Sequence, residues 1–329
     1  MSQSKRSMKS IVESHPPRAQ LTPASLLSTV SHIERSTMRA LPDSLLELIR
    51  RTSAEIPEDV HQAILRSLEQ EKKGTIAESA LKLIERNIEL AKQKSQPICQ
   101  DTGSILFYVD CPVGFDQIQF AETARETVTL ATRKGFLRQN SVDSLTGKND
   151  GTNVGPGAPA FHFHQHRSSE VEVRLVLKGG GCENVGAQYS LPNEALHANR
   201  DLNGCRKVIL DAIIQAQGKG CGPGILGICI GGDRATGYEL SKTQFLRRLE
   251  DRNPHPDLDR LEQDIVNTAN ELGIGPMGFG GKTTLLGAKI CVANRLPASF
   301  FVSISYMCWA YRRQGLRLSD DGSIAHWLY

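Results

Sequence analysis

Apolar residues recur at helical spacing in three successive segments between residues 41 and 95. "LPDSLLELIRR" (41–51) and "IPEDVHQAILRSLEQEKKG" (56–74) each begin at a proline–acid pair, which suits a helix's first turn. "TIAESALKLIERNIELAKQKS" (75–95) is the clearest of the three. Thr75 caps it, Glu78 completes a capping box, and Ile76, Ala80, Leu81, Leu83, Ile84 and Ile88 supply its apolar face. Pro97 stops any continuation, so "PICQDTG" falls in a loop that enters the buried strand "ILFYVD".

The pattern then changes repeatedly. "FAETARETVTLATRKGF" (120–136) reads as a helix closed by Gly135 and is followed by a Gly/Asn-rich loop, 147–157. "AFHFHQHRSSEVEVRLVLKGGG" (160–181) alternates twice and turns at "RSSE", which predicts a β-hairpin. His162, His164 and His166 then share one strand face; with no carboxylate or cysteine motif beside them, that face is read as solvated rather than metal-binding. "NGCRKVILDAIIQAQGKG" (203–220) reads as a helix ending at Gly218, and "GYELSKTQFLRRLE" (237–250) and "LDRLEQDIVNTANELG" (258–273) read as helices. "GILGICIGG" (224–232), "TTLLGAKICVA" (283–293) and "SFFVSISYMCWA" (299–310) read as strands. The order is mixed and nothing repeats at 20–50 residues. A single compact mixed α/β domain with N-terminal helices is expected over 41–329. Residues 1–40 carry only Glu13 and Glu34 as acids among many serines and bases. They are read as a disordered extension, with an organelle-targeting peptide as the alternative.

Composition narrows the class. The 329 residues include 39 basic and 36 acidic ones, a formal net charge of +3, which does not point to nucleic acid. No apolar run approaches a membrane span and no secretory segment opens the chain, so a cytoplasmic protein is expected. The 8 cysteines are scattered and none sits in a Cys-x-x-Cys pair, which argues against a zinc ribbon or a disulfide scaffold.

Glycine loops supply the candidate chemistry. "GIGPMGFGGKTT" imitates a phosphate loop, but Pro276 occupies the position of the first glycine. A helix precedes this loop and a strand follows it, the reverse of what puts a helix N-terminus on phosphate. "KGGGCEN" and "GCGPGILG" are two further permissive segments, and the three together suggest a shared site with close backbone approach. Cys111, Cys229 and Cys291 lie in apolar runs and read as small buried hydrophobes, and Cys205 as incidental. Cys99, Cys182 and Cys221 sit in Pro/Gly loops and Cys308 closes a strand, positions from which thiolates can converge on a metal or cluster.

Taken together, "PICQDTG", "KGGGCEN", "CGPGILGICIGG", "GIGPMGFGGKTT" and "LPASFFVSISYMCWAYRR" resemble the iron–sulfur hydro-lyases, that is, the class I fumarases and L(+)-tartrate dehydratases, from about residue 57 to 315 and in family order. The resemblance covers the cluster-bearing α part and implies a β subunit as partner in a hetero-oligomer. It implies a [4Fe–4S] cluster held on glycine-rich loops by Cys99, Cys221 and Cys308. It implies Asp101 as the acid/base or substrate-orienting group, and Gln100 as a hydrogen-bonding residue. By the same resemblance Arg138 takes one carboxylate, and the amides of Gly180 and Gly181 take the other. Two positions depart from the family: Cys182 stands where many relatives have Ser, and Leu296 where many have His. The implied activity is hydration or dehydration of a small dicarboxylate, with fumarate first, then tartrate and mesaconate. A non-catalytic electron-transfer or redox-sensing cluster protein is the rival from another class.

Overall fold

Three helices form where the periodicity places them. The computed structural model describes residues 38–329. The expectation for the N-terminal extension therefore lies outside the described residues, except for 38–40. Ala40 there already donates to the Asp321 carbonyl at 2.9 Å. Helix α1 (Leu41–Ala54) carries its proline in the first turn, and α2 (Glu58–Gln70) follows Pro57. In α3 (Ile76–Lys94), Thr75 Oγ1 accepts the Glu78 amide at 3.2 Å, while the Glu78 carboxylate reaches back to the Gly74 amide at 2.7 Å. The buried stripe of α3 is Ala77, Ala80, Leu81, Ile84, Ile88 and Ala91. Ile76 and Leu83, expected on that face, are 66% and 72% exposed. Leu83 lies two residues past Leu81, about 200° around the helix.

The strands form two sheets. The five-stranded sheet has the order β2 (Ala160–His166), β1 (Ser104–Pro112), β3 (Val171–Lys178), β8 (Arg312–Leu318) and β9 (Ile324–Trp327). The expected β2–β3 hairpin does not form, because β1 lies between its arms, parallel to β2 and antiparallel to β3. The apolar run of β1 is satisfied only with neighbours on both sides, whereas the half-exposed β2 tolerates an edge. The four residues 167–170 reach about 13 Å when extended, enough to cross two strand spacings of about 5 Å. Strands β8 and β9 were not expected. "RRQGLRL" reads as polar, yet Arg312, Arg313 and Gln314 are 1%, 0% and 1% exposed.

The second sheet has the order β4 (Ala187–Ser190), β7 (Phe301–Met307), β5 (Gly224–Gly231) and β6 (Leu285–Ala293). Strand β7 stops one residue before Cys308, which lies just past the strand rather than in it. Helix α7 (Arg234–Thr243) covers β5 and β7, while α8 (Pro256–Glu271) covers β6. Asp233 caps α7 through bonds of 2.8 and 3.0 Å, so the helix begins before the expected segment; it ends in a 3-10 turn, Gln244–Leu246. Helix α4 (Gln117–Arg133) and α1 pack one face of the larger sheet into a core containing Phe107, Phe120 and Leu175. The main core joins α2, α3, α6 (Leu202–Ala216) and α8 to the smaller sheet and the site. Among the described residues no helix is long and apolar enough to cross a membrane.

Candidate active site

The chain leaves α3 through Ser95, at φ 49°, and is pinned at Ile98. Its amide donates to the Ser53 carbonyl at 3.0 Å and its carbonyl accepts from Asn87 at 2.9 Å. That anchor presents Cys99, half-buried, and Gln100, exposed, with 3.6 Å between Cys99 Sγ and Gln100 Oε1. The next residue, Asp101, is held on both oxygens. Oδ1 accepts the Gly103 amide at 2.8 Å and Oδ2 accepts the Gly180 amide at 2.7 Å. The buried Arg312 guanidinium donates to the Asp101 carbonyl. Gly103 has φ +75°, and a Cβ there would lie 2.2 Å from the Lys178 carbonyl oxygen. Only glycine lets this loop lie against the end of β3.

"KGGGCEN" is therefore the second wall of the same site. Its one-turn helix α5 (Gly180–Asn184) buries Cys182. Lys178 has a fully buried side chain, with Nζ 3.1 Å from Glu183 Oε2; Glu183 Oε1 accepts Lys242 Nζ at 2.6 Å. Burial pushes the Lys178 ammonium below its ordinary value, and the Glu183 carboxylate works against that. Both glycines of the expected carboxylate-binding pair are exposed, but the Gly180 amide is already committed to Asp101, which leaves the amide of Gly181 for that role.

Cys221 arrives from a third direction, after a 3-10 turn (Gln217–Gly220), exposed and at φ +54°. A non-glycine residue in that region is strained, and such strain tends to collect at functional sites. Its carbonyl accepts the Trp309 amide at 3.3 Å, which brings the segment after β7 alongside. Gly224 lies so close to Tyr306 that a Cβ would come within 2.2 Å of its ring. Cys308 is buried beside Cys182.

Electrostatics place the four thiols in one neighbourhood. The Cys308 thiol, outweighing burial and helped by Lys178 and Arg312, holds Cys182 down to about 7. Cys182 and burial push Cys308 well up. Burial raises Cys221, and the thiols of Cys182 and Cys99 add to the rise. Tyr306 is raised by burial and then by Cys308, Cys182 and Cys221. Among the described residues, no three His, Cys, Asp or Glu side chains gather closely enough to hold a metal ion. The thiols thus share a neighbourhood without converging on one ion-sized point.

Arg138 lies exposed, its backbone tied to Thr102 by bonds of 2.8 and 2.9 Å. Asn153 fixes it from the other side, donating to its carbonyl at 2.7 Å. A cavity of about 260 Å³ opens between these segments, lined by Asp101, Ser104, Asn140, Ser141, Asn153 and Gly180 among others. Asn153, Lys178 and Arg312 were absent from the sequence-based site. Lys178 and Arg312 stand inside quoted motifs, but nothing local marks Asn153.

Of the remaining residues, Cys229 and Cys291 face each other across β5 and β6, and the three histidines have separate partners. His162 stacks on Tyr108 at 4.7 Å and bonds Glu239, His164 faces Asp110 at 3.4 Å, and His166 bonds Ser168 at 2.9 Å. Cys111, Cys205 and Cys229 are fully buried, but Cys291, expected in the core, is only half-buried. Leu296 is 73% exposed in the loop before β7.

Comparison with known proteins follows the same chain span. The family model described as fumarate hydratase (Fumerase) matches residues 43–317. The chain is 50% identical over 296 residues to "Putative fumarate hydratase class I" of Geobacillus stearothermophilus, a match covering 89% of this chain and 58% of that relative. It is 32% identical over 289 residues to "Putative L(+)-tartrate dehydratase subunit alpha" of Methanocaldococcus jannaschii, covering 86% and 99%. It is 28% identical over 291 residues to the L(+)-tartrate dehydratase subunit alpha of Escherichia coli K12, covering 88% and 94%. The chain thus spans little more than half of the Geobacillus relative.

Proposed function

This chain belongs to the class I fumarase and L(+)-tartrate dehydratase α-subunit family, and from that membership we propose that it is the cluster-bearing half of a hydro-lyase acting on a small dicarboxylate, fumarate first. The observation that carries this reading is the junction at Asp101. One carboxylate, fixed by amides of two separate glycine segments, stands two residues past Cys99. Around it, four thiols from four segments share a neighbourhood.

The donor set fits an iron–sulfur cluster better than a lone ion. Thiolates are the ligands such clusters take, and a cage spreads them over several corners rather than drawing them onto one centre. Cys99, Cys221 and Cys308 are the proposed ligands of a [4Fe–4S] cluster, with Cys182 a fourth thiol beside Cys308. When bound, the cluster supplies a Lewis acid for the hydroxyl lost or gained.

The protein's own groups do the rest. The Arg138 guanidinium offers a planar fork to one substrate carboxylate. The Gly181 amide and Gln100 address the remainder of the substrate. Asp101 keeps a free lone pair on each oxygen after accepting its amide bond, so it can take or return a proton without leaving its place. A β subunit completes the pocket. Similarity to separate alpha subunits over 99% and 94% of their length supports that partner, and the 50% identity to the relative named for fumarate favours that substrate over tartrate.

The test is anaerobic reconstitution of the chain with iron and sulfide, alone and with a β-type chain. Hydration of fumarate by the pair but not by the single chain is expected, together with an absorbance typical of a cluster. Turnover of tartrate but not fumarate would move the assignment to the second substrate. Cluster formation without any hydro-lyase turnover in the pair would leave the electron-transfer or sensing role.

A further inference from the structure

Asn153 is 2% exposed, at φ +59°, in a loop that is otherwise largely at the surface. Its side chain uses its full hydrogen-bonding capacity. Oδ1 accepts the amides of Asn140 and Ser141 at 2.9 and 3.0 Å, while Nδ2 donates to Thr132 Oγ1 at 3.0 Å and to the Arg138 carbonyl at 2.7 Å. Thr102, 3% exposed and adjacent to Asp101, closes the other side. Its hydroxyl donates to the Arg138 carbonyl at 2.9 Å and accepts the Arg138 amide at 2.8 Å, and its own amide donates to Asn140 Oδ1 at 3.0 Å.

We propose that Asn153 is a positioning residue for substrate recognition: with Thr102 it clamps the backbone of residues 138–141, so that the Arg138 side chain starts from a fixed point relative to the Asp101 carboxylate. This rests on the reading of Arg138 as a carboxylate binder. Within the loop the clamp bonds Arg138, Asn140 and Ser141, the end that meets Thr102. Farther along, the loop is held by local turns such as Asp143 with Leu145 and Thr146, and Leu145 is 96% exposed. A buried, saturated amide confined to that end serves the placement of 138–141 rather than the loop as a whole. The Arg138 side chain makes no bond to another side chain among the described residues, so its fork is free while its backbone is held. With the backbone already held, only the side-chain freedom of Arg138 remains to be lost on engaging a ligand.

The experiment compares Asn153→Gly, which keeps the positive φ but removes the clamp, with Arg138→Ala in the reconstituted complex with its β-type chain. Asn153→Gly is expected to raise KM for fumarate by up to about 10²-fold, the scale of a group displaced by about 1 Å, with kcat changed far less. Hydrogen exchange at the Asn140 and Ser141 amides should quicken while the cluster's iron content stays that of the wild type. Should the glycine variant not accumulate folded, Asn153→Asp retains the volume and the two acceptor bonds, loses both donors, and carries the same expectation. Unchanged KM in Asn153→Gly beside an impaired Arg138→Ala overturns this inference and leaves the functional reading standing. Unchanged KM in Arg138→Ala overturns both. Equal loss of iron content and kcat in Asn153→Gly would reduce Asn153 to a structural residue and also overturns it.

Discussion

Asp101 Oδ2 accepts the Gly180 amide at 2.7 Å across 79 residues of sequence. This bond joins the two glycine segments that flank the thiol site, and it fixes one oxygen of the proposed acid/base group. Asp101→Asn should turn one amide-accepting oxygen into a donor facing another donor. Turnover is expected to fall by about 10²–10⁴-fold, the range for a lost acid/base group. The cluster's absorbance should survive, because no thiol is removed. Near-normal turnover would assign the loop to cluster binding alone.

Gly103 and Gly114 both have positive φ, but their surroundings differ. A Cβ at Gly103 would meet the Lys178 carbonyl oxygen at 2.2 Å, whereas Gly114 has nothing within 4 Å. Gly103→Ala should therefore destabilise more than Gly114→Ala, the difference being the overpacking cost of about 1–3 kcal/mol. Urea denaturation of the two variants measures it, and equal midpoints would show that the loop relaxes freely.

The buried Arg313–Asp59 pair ties the unexpected strand β8 to α2. Arg313 Nη2 reaches the two Asp59 oxygens at 2.8 and 2.9 Å, and the side chains are 0% and 2% exposed. Asp59→Ala strands the guanidinium and should cost about 3–5 kcal/mol. Chemical denaturation reads this directly, and a loss below about 1 kcal/mol would mean that water reaches the site.

Glu183 makes stability depend on pH in a stated direction. Burial alone would raise its pKa, but Lys178 and Lys242 outweigh burial and hold it below the ordinary 4.5. A carboxylate lowered on folding contributes stability above its unfolded pKa and loses it as pH falls through the folded value. Wild type should therefore lose stability faster than Glu183→Gln as pH drops below the ordinary 4.5. Parallel denaturation midpoints for the two proteins over that range would contradict the assignment.

Much of this protein was written in local pattern. Helical spacing and a threonine cap sufficed for α3, because both act within one or two turns. Glycine and cysteine positions marked the segments that meet at the site, since few other roles demand that pairing. The family motifs named the relatives. The tertiary structure decided what depended on distant partners. β1 separates the arms of an apparent hairpin because its buried run needs two neighbours. "RRQGLRL" is an interior strand because Asp59, 254 residues away, neutralises Arg313. Asn153 looks like any turn residue until Thr132, Arg138, Asn140 and Ser141 surround it. Cys182 stands beside Cys308 only once α5 and the end of β7 are brought together. Periodicity reports which face of an element is apolar; which charged or polar side chain is satisfied inside the protein is set by contacts that sequence order does not contain.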